Sequence, residues 1–374
     1  MSVSVKCTCK PGYTNTGSAV NVVCEDSCTI ENGGCGPHAT CSHHANTNAV
    51  KCTDKADFTT TGSASGDISL VNIPANAKWS QNGVTVAGGN GAGVATNQLY
   101  WPWSLSVDDD QTMFISEHGN SRIMEWKSGA TNGQVVTSGT STINTLNTID
   151  VPSDILIDKE TDSLIICDKG NQRVVQWSRR SGTTEGKLLV DNIDCWGLAM
   201  DKQRNLYVGD GGKTELRRYR LGEKNSTLIA GNNGVDLGLD QLTAVSSLSV
   251  DQHRSVYISQ FWSDRVIKWV EGAKEGIVVA GGQGTGSSLA QLDKPLGIFV
   301  DALGTLYIAD MFNHRIMRWT QGAKVGTVIA GGNGVGAEAN QFFTPYGLTF
   351  DRQGNLYVAD TRNNRIQRFS IEKD

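Results

Sequence analysis

The sequence predicts an all-β fold, a closed ring of six four-stranded sheets, and three observations predict it. A block of about fifty residues recurs six times after a cysteine-rich start. Each block breaks into short apolar runs separated by turn residues, four to a complete block. The last block lacks its fourth run, and a matching run stands alone ahead of the first block.

Residues 295–334 show the unit most clearly. Leu296, Ile298 and Val300 alternate before Asp301, Leu306–Ala309 form a second run, Ile316 and Trp319 a third, and Val328 and Ile329 a fourth. The breaks at 302–304, 311–313 and 322–324 carry Gly and Asn, which suit positive φ or bond their own backbone. The Asp that ends the first run recurs as Asp108, Asp158, Asp201, Asp251, Asp301 and Asp351. The aromatic of the third run recurs as Trp126, Trp177, Tyr219, Trp269, Trp319 and Phe369. A single such sheet cannot bury both faces, so the copies must pack face to face, and a ring leaves no long exposed edge.

Closure is readable as well. The sixth unit ends after three runs, while Gly83–Gly91 repeats the fourth-run stretch Gly326–Gly334 and has no strands of its own. It is expected to be the outer strand of the last sheet. With the Leu-Tyr-Val-Ala-Asp and Asn-x-Arg-Ile signatures at 347–366 and their variants at 297–316, residues 83–374 strongly resemble the NHL-repeat family. That resemblance implies a six-bladed β-propeller (NHL/TolB-like).

Composition fits this reading. Gly is abundant, Pro is scarce, and the apolar and charged fractions are those of a soluble all-β chain. A formal net charge of -5 argues against a general nucleic-acid binder. No apolar run approaches the ~18 residues that cross a bilayer. The start has no signal-peptide core, so an N-terminally truncated chain is one expectation.

Seven of the nine cysteines fall within residues 1–57, which marks a disulfide scaffold. Cys7-Thr8-Cys9 with Pro11-Gly12-Tyr13 and Cys24 resembles the C-terminal half of an EGF-like module, residues 1–25. Cys28, Cys35, Cys41 and Cys52 resemble a second, incomplete module, residues 26–57. The resemblance implies bridges Cys28–Cys41, Cys35–Cys52 and Cys9–Cys24, leaving Cys7 unpaired, and a weak calcium candidate at Asp26. His38, His43 and His44 lie among these cysteines without the paired spacing of a zinc site. A linker at 58–80 turns apolar at Ile73 and Trp79, where it is expected to dock on the propeller of residues 81–374.

What recurs in every blade is read as scaffold. Glu117/Arg122, Asp168/Arg173, Asp310/Arg315 and Asp360/Arg365 are expected to be paired turn supports. The Gly-rich stretch at 88–93 and its copies lead to strands, not to a helix that would hold phosphate. No nucleophile motif stands out, so no catalytic residue is assigned. His118 and His314 belong to loops at one end of the sheets and His253 to the other, so they do not form a metal site.

Residues that break the repeat on one rim are the candidate ligand-binding set: Trp103, His118, Trp196, Phe261, Trp262, Phe312, His314, Tyr346 and Arg362. The alternative is that the rings only cap the channel. Cys167 and Cys195 are expected on that same rim in adjacent blades, either bridged or as two buried thiols. Asn225 heads a glycosylation sequon compatible with secretion. The expected function is a non-enzymatic extracellular or cell-surface interaction module, a monomeric propeller binding a peptide, protein or glycan and needing no cofactor. The family resemblance also implies an amidating-lyase-like or lactonase-like enzyme with a channel metal, or a substrate receptor of a ubiquitin ligase.

Overall fold

The computed structural model describes the backbone of four short strands, Tyr13–Asn15, Cys24–Asp26, Ala39–His43 and Val50–Asp54. It also describes residues 71–139, 145–180, 182–223, 225–231, 233–234 and 238–372. The chain divides into two units, residues 1–65 and 66–374. In the first, the four strands pair in order as two antiparallel hairpins. The side chains of Cys9, Cys24, Cys28, Cys35, Cys41, Cys52 and Asp26, on which the EGF-like bridges and the calcium candidate rest, lie outside the described residues.

The second unit is a six-bladed β-propeller of four-stranded antiparallel sheets. Blade 1 runs outward through Pro102–Val107, Met113–Glu117, Arg122–Trp126 and Gln134–Ser138. The inner strands of blades 2 to 6 are Pro152–Asp158, Cys195–Met200, Ser247–Val250, Pro295–Val300 and Pro345–Phe350. These six inner strands touch one another in a closed cycle around the channel. Blade 6 takes its outer strand from upstream: Val84–Gly88 pairs with Arg365–Phe369, with Ala87 opposite Ile366 and Val84 opposite Arg368. The strand supplied by the start of the chain therefore closes the ring, as the unmatched repeat predicts.

Alternation along each strand sends one set of side chains to the neighbouring blade. Ile115, Ile166, Val208, Ile258, Ile308 and Val358 of the second strands are fully buried there. The docking expected near Ile73 and Trp79 is present. Both are buried, and the Trp79 indole donates to Gly354 O at 2.8 Å and packs edge-on against Tyr307.

The repeated acid–arginine pairs hold the turn between second and third strands. Arg173, Arg315 and Arg365 donate through Nε to Asp168, Asp310 and Asp360 at 2.7, 2.7 and 2.8 Å, and Arg122 pairs with Glu117. Each guanidinium also donates to carbonyls of the loop behind it, as Arg315 does to Ser287 O at 2.8 Å. The carboxylate in turn accepts a backbone N–H, Asp293 N to Asp310 at 2.7 Å. Burial pushes these carboxyls up and the arginines pull them down. No buried side-chain atom of these pairs lacks a partner, as suits a support that recurs from blade to blade. Blade 4 keeps the geometry with an amide: Gln260 stands in the acid's place and accepts from Arg265.

Glycine permits a close approach between inner strands at two blade junctions. A Cβ on Gly347 would lie 2.5 Å from Trp103 O, and one on Gly297 2.4 Å from Tyr346 O. Successive inner strands approach there more closely than any side chain allows.

Candidate functional site

The rim where inner strands begin is built on strained backbone. Trp101, Val151, Lys294 and Thr344, which precede the opening Pro of four blades, have φ of 50°, 46°, 55° and 54°. Valine and threonine rarely adopt such angles, so something must hold them. In each case a side chain of the preceding blade accepts the N–H: Asn364 for Trp101, Ser121 for Val151, Asp264 for Lys294 and His314 for Thr344, at 2.9–3.2 Å. His314, a sequence candidate for ligand contact, is therefore committed to a blade junction through Nδ1.

On this frame the rings of blades 1, 3 and 6 meet. Trp103 stacks on His118 at 3.7 Å and 10°, on Tyr346 at 4.7 Å and 7°, and faces Trp196 at 6.1 Å and 20°. Trp101 extends the pile beyond His118, 6.0 Å away at 19°. Rings rooted in three blades can meet only over the channel axis, so the stack closes the channel at this end. Trp101 remains 40% exposed. The Lys169 ammonium sits 4.6 Å from the Trp196 ring, a cation–π contact, and 3.5 Å from Asp194.

His118 is half-buried in this pile and its Nδ1 is buried with no hydrogen-bond partner. Burial, and then Lys169, hold its pKa below the usual value. That shift favours the neutral ring at pH 7.

The remaining candidates do not join the stack. Phe261 and Trp262 make an edge contact at 4.8 Å, Trp262 being 69% exposed, and Lys294 lies over Phe261. Phe312 is 46% exposed. Arg362 lies over Phe343. The structure thus brings four of the nine together, Trp103, His118, Trp196 and Tyr346, and adds Trp101 and Lys169.

Beneath the stack is a channel cavity of about 240 Å³, reaching from Ser104 and Asp154 to Val71, Val250 and Phe350 at the far mouth. Asp154 is a residue that reading the rim alone misses. Its carboxylate accepts Ser104 Oγ at 2.6 Å from blade 1, Leu198 N at 2.8 Å from blade 3 and its neighbour Ile155 N at 2.9 Å. Burial raises its pKa to about 6. The signal was one step along the inner strand, where the blades read Ser104, Asp154, Gly197, Ser247, Gly297 and Gly347.

A carboxyl raised on folding stabilises the native state fully below its unfolded pKa, and that contribution is lost as pH rises through about 6. The wild type should therefore gain about 2 kcal/mol, relative to Asp154→Asn, as pH falls from 7.5 to 4.5. Urea titrations of both proteins at several pH values check this; parallel pH profiles would show that Asp154 does not titrate as placed.

The bridge weighed for Cys167 and Cys195 is present, with Cα atoms 5.6 Å apart and both residues fully buried. It ties the end of the second strand of blade 2 to the start of the inner strand of blade 3, next to Lys169 and Trp196.

Residues 344–369 match the NHL repeat model. No curated protein matches the chain significantly. Solved structures share the fold. A protein of unknown function from Bacteroides thetaiotaomicron is 17% identical with a TM-score of 0.64, covering 79% of this chain and 77% of its own. An auxiliary nutrient binding protein from the same organism is 17% identical at 0.62, covering 80% and 78%. A gluconolactonase from Xanthomonas campestris is 12% identical at 0.56, covering 82% and 95%.

Proposed function

We propose that the protein is a non-enzymatic, extracellular or cell-surface binding module whose propeller takes a peptide, protein or glycan on the stacked end of the ring. The observation that carries this is the pile Trp101–His118–Trp103–Tyr346 with Trp196 beside it. A simple plug would bury its rings and satisfy its polar atoms. Here Trp101 stays exposed, Trp262 and Phe312 stand exposed on the same rim, and the His118 Nδ1 lacks a partner. Flat apolar faces left open at the rim suit a partner that stacks on them. One solved structure of similar fold is an auxiliary nutrient binding protein, which supports a binding role.

The buried disulfide and the exposed Asn225 of the sequon support an oxidising compartment. The other reading, an enzyme working through a channel metal, has Asp154 as the carboxylate among the channel-lining residues. Among the described residues no three His, Cys, Asp or Glu side chains come together as a metal site.

The test is to probe glycan and peptide arrays with the full chain and to measure the hits with Trp101→Ala and His118→Ala. Exposed Trp101 can be removed without opening the core, so affinity should fall about tenfold or more with unchanged melting. Undiminished affinity in both variants would refute the site.

A further inference from the structure

The position before the third-strand aromatic is cationic in blades 3 to 6, as Arg218, Lys268, Arg318 and Arg368. Three of these cations have their partner. Arg218 donates to Glu271 at 2.9 Å, Lys268 to Asp251 at 2.9 Å, and Arg318 to Ala77 O at 2.8 Å. Arg368 has no ion pair among the described residues. It hydrogen-bonds the Tyr357 hydroxyl, and its Nε, like those of Arg179 and Arg204, is buried without a hydrogen-bond partner. What sets Arg368 apart from its three counterparts is the missing carboxylate or carbonyl partner, and that needs a reason.

The junction of blades 3 and 4 supplies one by comparison. There Glu271, two residues after Trp269, crosses from blade 4 to meet Arg218 of blade 3 and also pairs with Arg254 at 2.7 Å. The same relation links blade 6 to blade 1 at the seam of the ring. Arg368 corresponds to Arg218, Gln111 to Arg254, and Ser128, two residues after Trp126, to Glu271. Serine replaces the carboxylate. Ser128 Oγ donates to Gln111 Oε1 at 3.4 Å, and the Gln111 amide donates to Asp351 at 2.9 Å, so neither answers Arg368. The seam is instead open, a cavity of about 490 Å³ lined by Arg368, Gln111, Ser128, Thr131, Asn90 and Trp126, among others.

We propose that this seam cavity binds a carboxylate from outside the fold, a small organic acid whose carboxylate takes the place that Glu271 holds in the blade 3–4 junction. Arginine's planar fork matches a carboxylate in two parallel bonds. The volume falls within the range of small-molecule pockets, and the hydroxyls of Ser128 and Thr131 supply further donors. The site lies between blades, apart from the stacked rim, and stands whether or not that rim binds a partner.

The experiment is thermal unfolding and calorimetric titration of the full chain with sodium butyrate, sodium benzoate and a Glu-containing peptide, with sodium chloride at matched ionic strength. Carboxylates should raise the midpoint saturably and chloride should not. Arg368→Gln should lose that response. Ser128→Glu should lose it too while melting higher than wild type without ligand, because the pair would then be internal. Response to the Glu peptide but not to free acids would also support the carboxylate site and identify a protein side chain as its source. An equal response to chloride, or a Ser128→Glu protein that responds as wild type does, would overturn the proposal.

Discussion

A chain lacking residues 83–89 should melt at least about 10 °C below the intact protein and aggregate on heating. The deletion removes the outer strand of blade 6, Val84–Gly88, and with it the ladder to Arg365–Phe369. It also removes Ala87 from the cluster that joins blades 6 and 1 through Leu99, Met113 and Tyr357. The strand it exposes, Arg365–Phe369, would present an open row of N–H and C=O groups at the one junction where the two ends of the propeller meet. Differential scanning calorimetry with light scattering measures both effects. Equal melting of the two chains would mean that the ring does not depend on this closure.

Breaking the Cys167–Cys195 bridge should have the second largest effect. The bonded residues are 28 apart in sequence, and closing a loop of that size is worth roughly 3–4 kcal/mol in the chain-entropy account. A Cys195→Ser protein should therefore melt about 5–6 °C lower. Because Cys195 precedes Trp196 and Cys167 lies two residues before Lys169, the tryptophan emission of the stack should shift as well. A non-reduced peptide map settles whether the bond forms: linked peptides are expected, and alkylation of both thiols in unreduced, denatured protein would contradict it.

The sequence made the scaffold legible because the scaffold repeats. Six copies of Asp and of an aromatic set the register, the lone run at Gly83–Gly91 exposed the closure, and paired acids and arginines at constant spacing disclosed the turns. Adjacent blades and a shared rim were enough to bring Cys167 toward Cys195. The candidate site was only half legible. Trp103, His118, Trp196 and Tyr346 broke the repeat at its visible positions, and they do meet. His314 broke it too, yet its ring nitrogen accepts the Thr344 N–H. The clue was that its equivalents Ser121, Asp264 and Asn364 all carry side-chain acceptors, so the position asks for an acceptor and not for a ligand contact. Asp154 stood out as the one acid in its row, one step past the rim positions. Arg368 stayed hidden because it is ordinary in its own blade and becomes informative only when the neighbouring blade is seen to lack the matching carboxylate.

The most direct test of the binding site is a hydrogen–deuterium exchange footprint of the full chain with and without the tightest array hit. Protection is expected at the inner-strand starts around residues 100–104, 195–197 and 345–347 and at the turns around 117–121 and 168–171. Protection confined to the outer strands, or to the far channel mouth around Val71 and Phe350, would contradict binding at the aromatic stack.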